Sequence, residues 1–178
     1  MKKAFTILSL FLLGTTAWSQ PLTLDKNKSN LEIAGTSSLH DWVSKVEEFQ
    51  ANADLNEGKI TKVSFEAVVK SIKSGKSGMD GNTYKALNEK EYPKIIFKAD
   101  QLDIKGNQLV GKGQLTIAGK TNEIPIDLTF SNASEVSVKG SIKLKMTDYG
   151  VTPPTAVFGT IKTGDEVTIQ FNFTLKNT

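Results

Sequence analysis

Val136-Ser137-Val138-Lys139-Gly140-Ser141-Ile142-Lys143-Leu144-Lys145-Met146-Thr147 alternates apolar or small residues with polar ones from end to end. On an extended chain this period of two puts the even-numbered side chains on one face and the three lysines on the other. The last stretch repeats the pattern, with Val167, Ile169, Phe171, Phe173 and Leu175 set against Thr168, Gln170, Asn172, Thr174 and Lys176. Working inward, Ile124, Ile126, Leu128 and Phe130 alternate with Glu123, Pro125, Asp127 and Thr129. Leu109, Gly111, Gly113, Leu115 and Ile117 share a face before them, and Gly119-Lys120 between the two stretches is a hairpin signal. Val63, Phe65, Ala67 and Val69 form one further face, and Ile95, Phe97 and Ala99 another.

These patterns predict eight long strands near 30–38, 42–55, 59–72, 94–104, 107–118, 122–131, 135–147 and 164–176, with a short extended piece at 22–25. The apolar parity switches from even at Val46 to odd at Phe49, which predicts a β-bulge between them. One helix is expected between Asp80 and Glu91, with Tyr84 and Leu87 on a common face and Pro93 closing it. Strands that each carry one apolar and one polar face must close on themselves or pair with a second sheet. Long strands with short hairpins favour an all-β, eight-stranded antiparallel barrel with one short helical insertion. Such a barrel has room for packed side chains or one small ligand. The small inward residues Ala67, Ala99, Gly111, Gly113 and Gly140 are expected to leave a cavity beside the large ones.

Residues 1–19 read as a cleavable secretion signal and 20–178 as the domain. Lys2-Lys3 is followed by the apolar run Ala4 to Leu13 and then by the small residues Ala17 and Ser19. That run is too short for a span, which needs about 20 apolar residues. The expected location is the bacterial periplasm or the exterior. The chain has no cysteine, so disulfides, thiolate metal sites and a lipid-anchored Cys are not expected. Net charge is +3, falling to +1 if Lys2 and Lys3 leave with the signal, and all 22 basic residues are lysine. Without the arginine fork, nucleic-acid recognition is not expected.

Candidate catalytic groups do not assemble. His40 is the one histidine, within Gly35-Thr36-Ser37-Ser38-Leu39-His40-Asp41-Trp42. Adjacent residues on an extended chain point apart, so Asp41 is poorly placed to orient the ring, and no nucleophile-elbow motif exists. His40 is better read as a turn or rim residue bonded to backbone. Asp80, Glu89 and Glu91 read as an exposed acidic helix end rather than a cation site. Gly75 to Gly81 lacks the context of a phosphate loop. The phenylalanines 49, 65, 97, 130, 171 and 173 all fall on inward phases.

Three segments, taken in order, resemble the YceI-like family. Tyr84-Lys85-Ala86-Leu87 with Glu91-Tyr92-Pro93-Lys94-Ile95-Ile96-Phe97 is similar to its helix and strand entry. Gly113-Gln114-Leu115-Thr116-Ile117-Ala118-Gly119-Lys120-Thr121 resembles its hairpin. Asp148-Tyr149-Gly150, with Gly164-Asp165-Glu166-Val167-Thr168-Ile169, resembles its ending. The resemblance implies a lipocalin-like barrel whose lumen holds a polyisoprenoid or quinone-type lipid, with no covalent cofactor. Many members carry Arg two residues before the Asp-aromatic-Gly motif, whereas this chain carries Met146, inward by parity.

The function expected is that of an exported, non-enzymatic lipid carrier. The residues expected against the ligand are Phe65, Phe97, Leu115, Ile117, Ile126, Leu128, Ile142, Leu144, Met146, Ile169, Phe171 and Phe173, with Tyr84 and Leu87 on a lid. Alternatives are a small outer-membrane barrel with its apolar face outward, a filled structural barrel without ligand, and an enzyme acting on a lipid in the cavity. The lipid is the expected partner, without a membrane span. A homodimer stays open.

Overall fold

The computed structural model describes residues 19–177, so the expected signal lies outside the described residues except for Ser19. β1 (Gln20–Leu24) and β2 (Asn30–Ser37) form one strand interrupted by a 3-10 turn at Lys26–Lys28. β3 (Trp42–Val46) and β4 (Phe49–Asn56) form the second, and β5 (Lys59–Val68) the third. A 3-10 turn at Val69–Ser71, the short β6 (Ile72–Lys73) and helix α1 (Ser77–Ala86) intervene before β7 (Lys94–Lys105). β8 (Gln108–Ile117), β9 (Lys120–Asn132) and β10 (Val136–Lys145) follow. A 3-10 turn at Met146–Tyr149 and the short β11 (Thr155–Ala156) then lead to β12 (Ile161–Asn177). Each long strand pairs antiparallel with the next, and β12 returns to β1 and β2, closing an eight-stranded barrel.

The polar phases of the strands face outward, as in Lys139, Lys143 and Asp127, while Ile126, Leu128 and Phe130 are buried inside. That orientation overturns the outer-membrane reading, which needs the reverse. Among the described residues no helix is long and apolar enough to cross a membrane.

Bulges bend the strands around the lumen. The expected one falls at Glu47-Glu48, where the buried Ser71 hydroxyl accepts from Glu48 N at 2.9 Å and Ser71 O accepts from Glu47 N at 3.0 Å. Two more lie where the parity also switches: at Lys62, with φ 51°, between Ile60 and Val63, and in β7 between Lys98 and Leu102. A fourth, between Thr163 and Val167 of β12, turns Asp165 toward the Met146–Tyr149 turn.

Three sequence expectations shift. The hairpin after β8 turns on Ala118 and Gly119, both left-handed at φ 47° and 78°, one residue earlier than expected. Helix α1 starts at Ser77 and stops at Ala86 rather than running 80–91, because Asn88 takes the left-handed conformation at φ 49° that ends helices. The strand expected at 59–72 stops at Val68, where the 3-10 turn begins.

The barrel has two unlike ends. Glu57-Gly58, Gly106-Asn107 and residues 133–135 make short turns at one end. Every longer excursion lies at the other: 38–41, 69–93 and 146–160. One seam is also incomplete. β9 and β10 pair only over Thr129–Asn132 and Val136–Lys139, although each pairs along its length with its other neighbour. Beside the unpaired part, Tyr149 and Val151 are buried against Leu115 and Ile117.

Candidate ligand cavity

Inside the barrel lies an apolar lumen of about 150 Å³, lined among the described residues by no polar side chain except Asn52. Phe65, Phe97, Phe171 and Phe173 line it, and Phe49 packs behind Phe65 and Phe173. Phe173 stands 4.7 Å from Phe171, 5.7 Å from Phe65 and 5.5 Å from Phe49, centroid to centroid. Phe171 and Phe173 are two apart on β12 and so share a face, with Phe65 and Phe49 reaching them from β5 and β4. Of the small residues expected to leave this space, Ala67 lines it, but the glycines do not supply it. A Cβ at Gly113 would stand 2.2 Å from the Phe97 ring, one at Gly140 2.3 Å from Leu128, and one at Gly111 2.8 Å from Leu102. These glycines receive neighbouring side chains, because close packing fills any gap a large residue can reach.

A second, wider cavity of about 610 Å³ lies at the end with the long excursions. Ile33, Ile72, Ile95 and Ile169 line both spaces, forming a collar between lumen and mouth. Helix α1 covers the mouth with Gly78, Met79, Asn82, Thr83, Ala86 and Leu87, positions that recur every four residues on one helical face. The mouth is more polar than the lumen: Ser44, Thr155, Thr163, His40 and Trp42 line it, and among the described residues Lys76 is its one formal cation and no carboxylate lines it. Ser44 lines the mouth although only 2% exposed.

Of the residues expected at the ligand, Phe65, Phe97, Leu115, Ile126, Leu128, Ile142, Ile169, Phe171 and Phe173 line the lumen. Ile117, Leu144, Met146 and Leu87 line the mouth. Tyr84 lines neither. Its hydroxyl receives Lys73 Nζ at 2.8 Å and lies 2.9 Å from Lys70 O and 3.0 Å from Ile72 O, so it straps α1 to β6. The collar residues Ile33 and Ile72 and the mouth residues Trp42 and Ser44 were not among the expected contacts. Trp42 and Ser44 share the even face of β3 with buried Val46, which is the signal that could have found them.

The loops around the mouth are pinned by named contacts. Asp80 accepts from Ser74 N at 2.8 Å and Ser74 Oγ at 2.6 Å, just before α1. Burial alone would raise its carboxyl, but the Ser74 bonds and Lys73 outweigh that and hold it below its ordinary value. Asp165 accepts from Thr147 Oγ1 at 2.6 Å and Thr147 N at 2.9 Å, and these bonds lower its pKa. Asn122 Nδ2 donates to Asp148 O at 3.0 Å, tying the same turn to β9. Burial raises the Tyr149 phenol, partly opposed by Asn122, so it stays protonated at neutral pH. His40 sits on the rim with Nδ1 2.7 Å from Asp41 O. Asp80, Glu89 and Glu91 each face a different partner: Ser74, Lys70 and Asn88.

Several solved structures share this barrel. Burkholderia cenocepacia BcnA superposes with a TM-score of 0.72 at 19% identity, covering 86% of this chain and 99% of its own. A polyisoprenoid binding domain from Saccharophagus degradans, implicated in plant cell wall breakdown, reaches 0.66 at 12% identity, over 88% of this chain and 98% of that one. The Campylobacter jejuni YCEI protein reaches 0.61 at 15% identity, over 100% of this chain and 93% of that one. No curated protein matches the chain in sequence. The YceI-like domain model matches residues 22–175, from buried Leu22 to buried Leu175, and the chain belongs to the YceI-like family.

Proposed function

We propose that the chain is an exported, non-enzymatic binding protein that holds a long apolar lipid of polyisoprenoid or quinone type. The observation that carries this reading is the apolar lumen continuing through an isoleucine collar into a wider, more polar mouth. The lumen matches a tail segment of about one five-carbon unit, as a cavity of this size takes a benzene-sized group, and the mouth has room for further chain and a compact polar head. Each buried CH₂ is worth about 0.8 kcal/mol, so a five-carbon unit contributes roughly 4 kcal/mol before association costs. Few polar contacts are then needed to retain a long chain. A relative of the same fold is described as a polyisoprenoid binding domain, which supports this ligand class. Export rests on the basic, apolar and small-residue regions of the first nineteen residues.

The test is mass spectrometry of an organic extract of the purified protein. A long prenyl lipid is expected, and exported material should begin at Gln20. An empty extract, together with no uptake of an added long-chain polyprenol or quinone, would remove the carrier reading. It would leave the filled structural barrel.

A further inference from the structure

The described large hydrophobic residues that stand exposed are Leu39, Val43, Val157 and Phe158. All four lie at the mouth end of the barrel: Leu39 in the turn between β2 and β3, Val43 on β3, and Val157-Phe158 at the tip of the β11–β12 hairpin. The opposite end, turning on Glu57-Gly58 and Gly106-Asn107, presents no such residue.

Two features make these residues more than scattered surface apolars. First, the turns are bound into one ledge. Ser38 N donates to Lys162 O at 2.9 Å, Lys162 N donates to Ser38 Oγ at 3.1 Å, and Trp42 Nε1 donates to Thr36 O at 3.0 Å. Second, the hairpin tip holds its side chains outward in a costly conformation. Val157 and Phe158 both take left-handed backbone, at φ 50° and 54°, where Asn-Gly is the favoured pair and a β-branched residue is an outlier. Phe158 is left wholly in water. Strain combined with an apolar side chain in water points to a partner that covers the tip.

We propose that this ledge docks the mouth of the barrel onto the surface of an anionic lipid bilayer, inserting Phe158, Val157 and Leu39. Three observations favour a bilayer. The apolar residues sit on protruding turn tips rather than on a flat face, which suits insertion into a soft apolar layer. Lys162 adjoins the hairpin tip and Lys76 lines the mouth, while Asp41 is the one carboxylate on the two turns. The ledge also borders the cavity itself, since Leu39, Thr155 and Ala156 line the mouth. This last point rests on the carrier reading: a lipid that scarcely dissolves must pass from a bilayer to the mouth without crossing water.

The test compares two mature proteins beginning at Gln20, wild type and Val157→Asn/Phe158→Gly, for co-sedimentation with vesicles of phosphatidylethanolamine and phosphatidylglycerol. Asn-Gly suits the left-handed turn, so the variant should melt no lower than wild type. Its vesicle partitioning should fall by about tenfold or more, the loss expected from one buried aromatic side chain. As an independent readout, the added emission of Phe158→Trp should shift to the blue on mixing with the same vesicles. Equal partitioning of wild type and double variant, or no shift, overturns the proposal. So does a wild-type dimer that the double variant abolishes while vesicles bind neither, since the ledge would then cover a second copy. An organic extract of the same preparations separates the two readings. An empty extract with ledge-dependent vesicle binding removes the carrier and keeps the docking surface, and a lipid-filled barrel indifferent to vesicles does the opposite.

Discussion

The two ends of the barrel are built on different principles. At the short-turn end β9 and β10 are paired, bulges interrupt β5 and β7 without parting the strands, and Leu22, Ile60, Leu102, Leu109 and Leu175 are buried in one cluster. At the mouth end pairing lapses between β9 and β10, and beside the smaller packed cluster of Tyr149 and Val151 on Leu115 and Ile117 the loops hang on individual side-chain contacts: Tyr84 on Lys73, Asp80 on Ser74, Asp165 on Thr147. Backbone ladders and packed apolar side chains are cooperative, so the first end should open only with the whole protein. Single hydrogen bonds to exposed groups are worth about 1 kcal/mol each, so the second can open locally. A barrel that is rigid where a tail would rest and yielding where a head would enter follows from this division.

The largest effect should come from charging the rigid part. Phe171→Asp places a carboxylate in the phenylalanine stack, 4.7 Å from the Phe173 centroid, whereas its neighbour Gln170 is exposed outside. The buried charge should cost several kcal/mol, and Gln170→Asp less than about 0.5 kcal/mol. Chemical denaturation of both variants checks this. Equal midpoints would show the inward and outward phases of β12 to be misassigned.

Next comes the contrast between two glycines. Gly113→Ala drives a methyl to 2.2 Å from the Phe97 ring, and overpacking of this kind costs about 1–3 kcal/mol. Gly81→Ala, in helix α1, meets nothing within 4 Å and should stabilise by up to about 1 kcal/mol through helix propensity. If both destabilise alike, the wall is no more tightly packed than the lid.

The rigid part was also the legible part. An element buried on one face writes its register into the sequence, so Val136 to Met146 and Val167 to Leu175 could be assigned inward and outward residue by residue. The bulge at Glu47-Glu48 was readable for the same reason. The switches from Ile60 to Val63 and from Ala99 to Leu102 carried the same signal for two bulges that were not expected. The mouth was less legible. Whether Tyr84 points into the cavity depends on how α1 docks, and its hydroxyl contact with Lys73 on β6 is a tertiary fact that no local pattern encodes. The glycines misled because a missing side chain reads as space, while the partner that fills it, Phe97 for Gly113, lies on another strand.

A smaller effect should separate the strap from the lid. Tyr84→Phe removes a hydroxyl bonded to Lys73 and should cost about 1 kcal/mol of stability with little change in ligand release. Leu87→Ala, at a position that lines the mouth, should instead speed the release of a bound polyprenol several-fold. Release kinetics read beside thermal melts give the comparison. Faster release from Tyr84→Phe than from Leu87→Ala would assign the gating role to the strap.

The smallest expected effect concerns pH at the incomplete seam. The Asp165 carboxylate receives both Thr147 N and Thr147 Oγ1, which lowers its pKa in the folded protein. A carboxyl depressed on folding stabilises fully above its unfolded value of about 3.9 and loses that contribution as pH falls through the lower folded value. Asp80, depressed in the same direction by Ser74 and Lys73 against its own burial, follows the same sign at the entrance to α1. The mouth end should therefore loosen below about pH 4, while the opposite end, whose core cluster is apolar throughout, keeps its protection. Amide exchange at Thr147 measures this directly, because its N–H is one of the two groups the carboxylate holds. Protection at Thr147 should fall on acidification more than protection at Leu109 or Ile126 in the walls. Asp165→Asn keeps an acceptor but removes the titration, so its Thr147 exchange should lose most of that extra acid sensitivity. If Thr147 and the wall amides lose protection together as pH falls, the seam opens only with global unfolding and the two ends are not independent.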